Sequence, residues 1–297
     1  MQTLMAYLRL TRPANILTAI ADILLGYAIS GSFISIYEWH NFTQLLWLIL
    51  ATSGLYAGGV VLNDVFDYEV DKVERPERPL PSGRASLNGA RILGVVLLLL
   101  GFLAAYQVSG RSANLAFTLV ILILLYDSIT KQFDFTGPFT MGLCRGFNLL
   151  LGMSVVPMAL SAWWGMAVIP LIYIFAITLV SRGEVNGGNP FAIRGAFVLY
   201  FLVIGLIISL AWLGEGFKIW YALPLLFLFA FLIFPPLLAA AKNLAAQQVM
   251  RAVKAGVLAL IVLDAAIASG FAGIIYGLIV LALLPISILL AKAFAVS

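Results

Sequence analysis

The chain has 297 residues, of which 63% are hydrophobic and only 10% charged, with a formal net charge of +4. A soluble domain carries about a quarter charged residues and a disordered one is poor in apolar side chains, so both classes are excluded. The single cysteine, Cys144, rules out an internal disulfide and a multi-cysteine metal site, and a small positive excess in so apolar a chain reports orientation in a membrane rather than nucleic-acid binding.

Ten apolar segments of bilayer-spanning length follow one another, at 14–31, 44–65, 89–108, 113–131, 138–160, 163–181, 195–213, 219–241, 252–271 and 273–293. They do not alternate polar and apolar residues as barrel strands do. The expected fold is therefore all-α, a polytopic transmembrane helical bundle forming a single domain over 1–297. The first segment follows Arg9 and Arg12 directly, lacks a small-residue cleavage site and reads as a retained helix.

Sidedness follows from the basic residues. Thirteen of them (Arg9, Arg12, Lys72, Arg75 and Arg78 among them) fall on one set of connections and two, Arg111 and Lys218, on the other. By the positive-inside rule the N terminus is cytoplasmic, and an even number of spans returns the C terminus to the same side. The tryptophans at 39, 47, 163, 164, 212 and 220 flank the opposite connections, as an interfacial belt would. The expected location is the inner membrane of a bacterium.

The second segment ends in Asn63-Asp64-x-x-Asp67-x-x-x-Asp71. On a continuous helix the three aspartates lie within about 60° on one face. Carboxylates so close repel one another beside hydrocarbon unless a divalent cation joins them. Mg2+ takes oxygen ligands and shares one or two carboxylates with substrate phosphates, so this face suits a Mg2+-bound phosphate or diphosphate, with Asn63 as an additional hydrogen-bonding group. The loop that follows supplies Arg75, Arg78 and Arg84, suited to bidentate phosphate contacts, among the stiffening Pro76, Pro79 and Pro81.

Farther along, Asp127 precedes Lys131 by four residues, a spacing at which the two can pair. Arg145 lies inside the fifth segment with Asn148 three residues on. An intramembrane ionisable side chain is costly and defaults to a functional hypothesis; the competing reading is an Arg paired with a bundle carboxylate, Asp22 or Asp264. The sixth segment ends in Ser181-Arg182-Gly-Glu184-Val-Asn186-Gly-Gly-Asn189.

Asn63-Asp64-x-x-Asp67-x-x-x-Asp71 followed by Arg75-Pro-x-Arg78-Pro79-Leu-Pro81-Ser-Gly83 resembles the first aspartate-rich signature of the UbiA superfamily of intramembrane prenyltransferases. Arg12-Pro13-x-Asn15 at the first helix, and Tyr126 with Lys131 leaving the fourth, support the resemblance. It covers essentially the whole chain, as nine core helices plus a tenth C-terminal helix. The stretches from Cys144 to Gly152 and from Ser181 to Pro190 look most like the EboC branch.

The resemblance implies a prenyl diphosphate bound tail-in from the bilayer, ionised with the help of Mg2+, and a prenyl group passed to an acceptor whose identity it leaves open. By matching position Asp64, Asp67 and Asp71 bind the Mg2+–diphosphate, Asn63 supports them, and Arg12, Asn15, Arg75 and Arg78 contribute to substrate binding. Lys131 pairs with the diphosphate, unless it is a snorkelling interfacial lysine. Tyr126 faces the site and stabilises positive charge through its ring. On the same plan the fifth helix faces the cavity, so Arg145 and Asn148 meet the acceptor or the diphosphate. The chain departs from the family at the second acidic motif, where two or more aspartates are usual and Glu184 is the one carboxylate. Glu184 is expected either as a further metal ligand or as a capping or salt-bridging residue, with Arg182 contacting phosphate. That departure motivates a rival reading, a non-catalytic isoprenoid- or lipid-binding protein that supports export of a metabolite. A phosphatidyl-alcohol transferase ranks lower, because its aspartate signature is absent around Asp64.

Overall fold

The computed structural model describes residues 2–35, 39–184, 187–213 and 216–294, and among them all regular structure is helical. Arg12 and Pro13 separate α1 (Gln2–Leu10) from α2 (Pro13–Ile29), with proline at the first helical position, where its missing N–H is no loss. The chain continues through α3 (Trp39–Phe66) and the short α4 (Tyr68–Glu74). Ser86 and Ser109 then cap α5 (Leu87–Val108) and α6 (Gly110–Ser128), each accepting a backbone N–H of the first turn.

A 3-10 turn at Thr130–Gln132 leads into α7 (Thr136–Met153). Beyond it lie α8 (Pro157–Trp163), α9 (Val168–Ser181), α10 (Pro190–Leu213), α11 (Ile219–Lys242) and α12 (Ala246–Ala272), and finally α13 (Ile274–Leu281) and α14 (Leu283–Ala293). Gly273, at φ 88°, makes the turn between α12 and α13 in a conformation that an L side chain resists.

Every expected span is present, with shifted ends. The fourth stops at Ser128, leaving Lys131 on the 3-10 turn. The fifth stops at Met153 instead of 160, because Pro157 drives Val156 to an extended φ of −114° and opens a new helix. Eight stretches are long and apolar enough to cross a bilayer. The other two expected spans are α2, which has 17 residues, and α7, whose hydropathy is diluted by glycines, Arg145 and Asn148.

Those two helices are interior, so neighbours rather than lipid cover them. Helix α2 touches α3, α7, α12 and α14. Helices α2, α3, α6, α7, α9 and α12 contact one another in that order and close a ring; α5 packs outside α3 and α6, α10 outside α9, and α11 outside α12. Small residues set the closest crossings, as in other membrane bundles. A Cβ on Gly101 of α5 would stand 2.8 Å from the Ala51 carbonyl of α3, and one on Gly152 of α7 would stand 2.7 Å from the Ile23 carbonyl of α2. On the far side of the ring Tyr173 is fully buried between the rings of Tyr200 and Phe229 and donates to the Gly256 carbonyl at 2.9 Å.

Candidate active site

The ring encloses a cavity of about 370 Å³, within the usual range for small-molecule sites. Its walls are largely apolar, with Leu55, Val60, Leu119, Ile123, Ile174 and Ile177 among them. Polar side chains gather where α2 begins and where α3, α6 and α9 end: Arg12, Asn15, Asn63, Tyr126, Asp127 and Ser181.

The aspartates stand at this end, but not as one continuous face. Helix α3 ends at Phe66, Asp67 adopts φ −85° and ψ 0°, and α4 restarts at Tyr68. Asp64 and Asp71 share Arg78, at 3.6 Å and 2.7 Å. Asp64 also accepts from Arg12 at 2.6 Å. Asp67 meets Lys131 instead, 2.5 Å away on the turn after the neighbouring α6. Asp64 and Asp71 are nearly buried, whereas Asp67 keeps 29% of its side-chain exposure. The helix break thus corrects the expected single acidic face, and the repulsion foreseen among the carboxylates is relieved by three cations. Arg12 contributes at a conformational cost: its φ of 46° is left-handed, worth about 1–2 kcal/mol against an L residue.

Among the described residues no three Asp, Glu, His or Cys side chains form a metal-holding group, so the expected set of Asp64, Asp67, Asp71 and Glu184 does not converge. Glu184 is half-buried on the loop after α9, where burial pushes its carboxyl up against the pull of Arg75, Lys254 and Arg78. Asn186, two residues on in the same motif, lies outside the described residues. Arg182, expected to contact phosphate, has protein partners. It is bound to Asp134 and to the carbonyls of Phe133 and, at 3.2 Å, Lys131, and so clamps the turn that carries Lys131.

Arg145 and Asn148 line the cavity from α7, and their polar atoms are engaged with α2 and α3. Arg145 pairs with Asp22 at 2.7 Å and donates to the Thr18 carbonyl. Asn148 donates to Asp22 at 2.8 Å and to the Ala19 carbonyl at 2.9 Å, and accepts from Thr52 at 2.7 Å. Asp264 of α12 is buried beside Asp22. Of the two readings of Arg145, the contacts match pairing with a bundle carboxylate, because a guanidinium cannot shed its charge and Asp22 is the carboxylate within reach.

Asp127 was expected to pair with Lys131. It accepts from Asn63 at 2.9 Å instead, since the ammonium is taken by Asp67. Its sequence signal, an acid four residues before a lysine, pointed along the chain, whereas its partner Asn63 comes from another helix.

The UbiA prenyltransferase family matches residues 24–253. Digeranylgeranylglyceryl phosphate synthase of Sulfolobus acidocaldarius is 30% identical over 246 residues, which cover 77% of this chain and 86% of that protein. The protein of the same name from Sulfurisphaera tokodaii is 30% identical over 250 residues, covering 78% of this chain and 87% of its own length. A solved digeranylgeranylglyceryl phosphate synthase structure superposes with a TM-score of 0.67 at 25% identity, covering 92% of this chain and 99% of that one. A UbiA homologue from Archaeoglobus fulgidus, bound to DMAPP and Mg2+, superposes with a TM-score of 0.60 at 18% identity over 93% of this chain and 99% of that one, a likeness of fold.

Proposed function

The chain belongs to the UbiA prenyltransferase family, and from that membership we propose that it moves a prenyl group from a prenyl diphosphate to a hydroxyl of a lipid acceptor inside the membrane. The observation that carries this reading is a ring-enclosed cavity with largely apolar walls, one end of which is lined by Arg12, Asn63 and Asp127 next to Arg78, Lys131 and three aspartates. The acceptor class we propose is a glyceryl phosphate lipid, after the products for which the archaeal relatives are named.

The donor set suits Mg2+, which needs one or two carboxylates and completes its shell with substrate oxygens and water. Asp64 and Asp71, which share Arg78, would supply those carboxylates, with Asp67 and Asn63 supporting them. Bound there, the ion neutralises charge on the departing diphosphate. Arg12, Arg78 and Lys131 would bind the phosphate oxygens, in place of the carboxylates they now pair with. Tyr126 would turn its ring toward the allylic carbon, where positive charge develops. The apolar walls would hold the tail and keep out water that competes with the acceptor. Arg145 and Asn148, held by Asp22, would shape the cavity deeper in the bundle. Glu184 stands where the family usually has more aspartates, with Arg75 and Lys254 beside it. Two cations around one carboxylate suit the acceptor's phosphate better than a second metal. The charged end of the cavity would face the cytoplasm, by the distribution of basic residues.

The test uses purified protein in bilayers with radiolabelled geranylgeranyl diphosphate and geranylgeranylglyceryl phosphate. We expect transfer that stops when EDTA removes Mg2+. Asp64→Asn should lower transfer about 10²–10³-fold, the usual loss of one electrostatic stabiliser. Tight binding of the diphosphate without turnover, across a panel of alcohol and phosphate acceptors, would sink the enzyme reading in favour of a lipid carrier.

A further inference from the structure

Asp127 is 3% exposed and lines the cavity. Asn63 donates to its Oδ1 at 2.9 Å, whereas its Oδ2 is buried with no hydrogen-bond partner among the described residues. A buried acceptor left unmatched costs about 1–3 kcal/mol, and more when charged. Pairing with Lys131 does not account for it, because that ammonium sits on Asp67 at 2.5 Å.

Its position is informative. Helix α3 runs toward the charged end of the cavity and ends two residues after Asp64. Asn63 comes just before Asp64, so its partner Asp127 stands beside the Asp64–Arg12 pair and on the cavity wall. With a diphosphate held by Arg12, Arg78 and Lys131, Asp127 borders the space into which its prenyl chain would extend. The charged and polar neighbours that act on Asp127 are Asn63, Lys131, Asp67 and Asp64, with Tyr126 and Cys144 adjacent.

Prenylation of a hydroxyl leaves a proton to be placed. The allylic C1–O bond breaks and its electron pair leaves with the diphosphate; the acceptor oxygen forms the new bond to C1; the hydroxyl proton must go to a base. We propose that Asp127, through Oδ2, orients the acceptor hydroxyl and takes this proton, with Asn63 fixing the carboxylate through Oδ1. The proton passes to water when the product leaves. This inference rests on the prenyl-transfer reading above and adds the residue that handles the acceptor.

The experiment compares wild type, Asp127→Asn and Asp127→Glu in bilayers with Mg2+, geranylgeranyl diphosphate and geranylgeranylglyceryl phosphate. Asp127→Asn keeps the shape and the acceptor for Asn63 but removes the base. Its kcat should fall about 10²–10⁴-fold. Its affinity for a non-ionising prenyl thiodiphosphate and its Mg2+ requirement should stay within about twofold, because loss of a general base alone leaves binding intact, and these values also verify folding. Asp127→Glu, which retains a carboxylate, should recover much of the loss. A kcat near wild type in Asp127→Asn overturns the inference. So does a loss shared by kcat, thiodiphosphate affinity and Mg2+ requirement, which would place Asp127 on the metal or the diphosphate, and so does an Asp127→Glu variant as inactive as the amide. A wild type that transfers nothing overturns the prenyl-transfer reading itself, and this inference with it.

Discussion

Buried charge is where single residues matter most in this molecule. Asp22 is fully buried and Arg145 nearly so, and Asn148, Thr18 and Asp264 complete their network. Removing one partner of a buried pair typically destabilises by about 3–5 kcal/mol, because the other is left uncompensated. The two directions are not equivalent. With Arg145 gone, Asp22 and Asp264 can neutralise by taking protons, whereas an arginine stripped of Asp22 stays charged. Asp22→Asn should therefore destabilise more than Arg145→Met, and Asp22→Asn with Arg145→Met should recover part of the loss. Thermal unfolding in detergent measures the order, and Arg145→Met as damaging as Asp22→Asn would contradict it. The sequence named Asp22 and Asp264 as possible partners without choosing, because it holds no distance between α2, α7 and α12.

Helix ends and crossings explain why the elements sit where they do. Pro157 ends α7 early, and Ser86 and Ser109 start α5 and α6, all by local rules legible in the sequence. The break at Asp67 is different, since Val-Phe-Asp-Tyr carries neither proline nor glycine to announce it. Once the chain is folded, Arg78 holds Asp64 and Asp71 together while Lys131, from another helix, takes Asp67. Close crossing of α3 and α5 depends on Gly54, Gly58, Gly94 and Gly101. Gly101→Val would put a side chain into the Ala51 carbonyl, while Gly205→Val on α10 meets nothing within 4 Å. Overpacking of this kind costs about 1–3 kcal/mol, so Gly101→Val should lower the unfolding temperature measurably and Gly205→Val should leave it nearly unchanged. Equal effects in the two variants would refute the packing argument.

At the scale of the whole molecule, the ring of α2, α3, α6, α7, α9 and α12, with α5, α10 and α11 packed outside it, surrounds a polar-ended cavity. Its orientation is open to direct measurement. In a Cys144→Ser background, Glu74→Cys and Arg111→Cys both place a thiol at an exposed position, beside α4 and at the start of α6. A membrane-impermeant thiol reagent should label the first only from the cytoplasmic side and the second only from the opposite side, following the excess of basic residues. The reverse pattern would turn the active site to the other face of the membrane.

The sequence by itself determined the membrane class, the ten apolar spans and the acidic, arginine-rich segment after the second, because hydropathy, proline and charge act locally along the chain. Only the tertiary structure decided which cation meets which carboxylate. Arg12 with Asp64, Lys131 with Asp67, Arg182 with Asp134, Arg145 with Asp22 and Asn63 with Asp127 all join different helices or the turns beside them. In a low-dielectric interior each buried charge must find a partner through space, and the partner lies on whichever helix packs alongside, a relation that no spacing along the chain records.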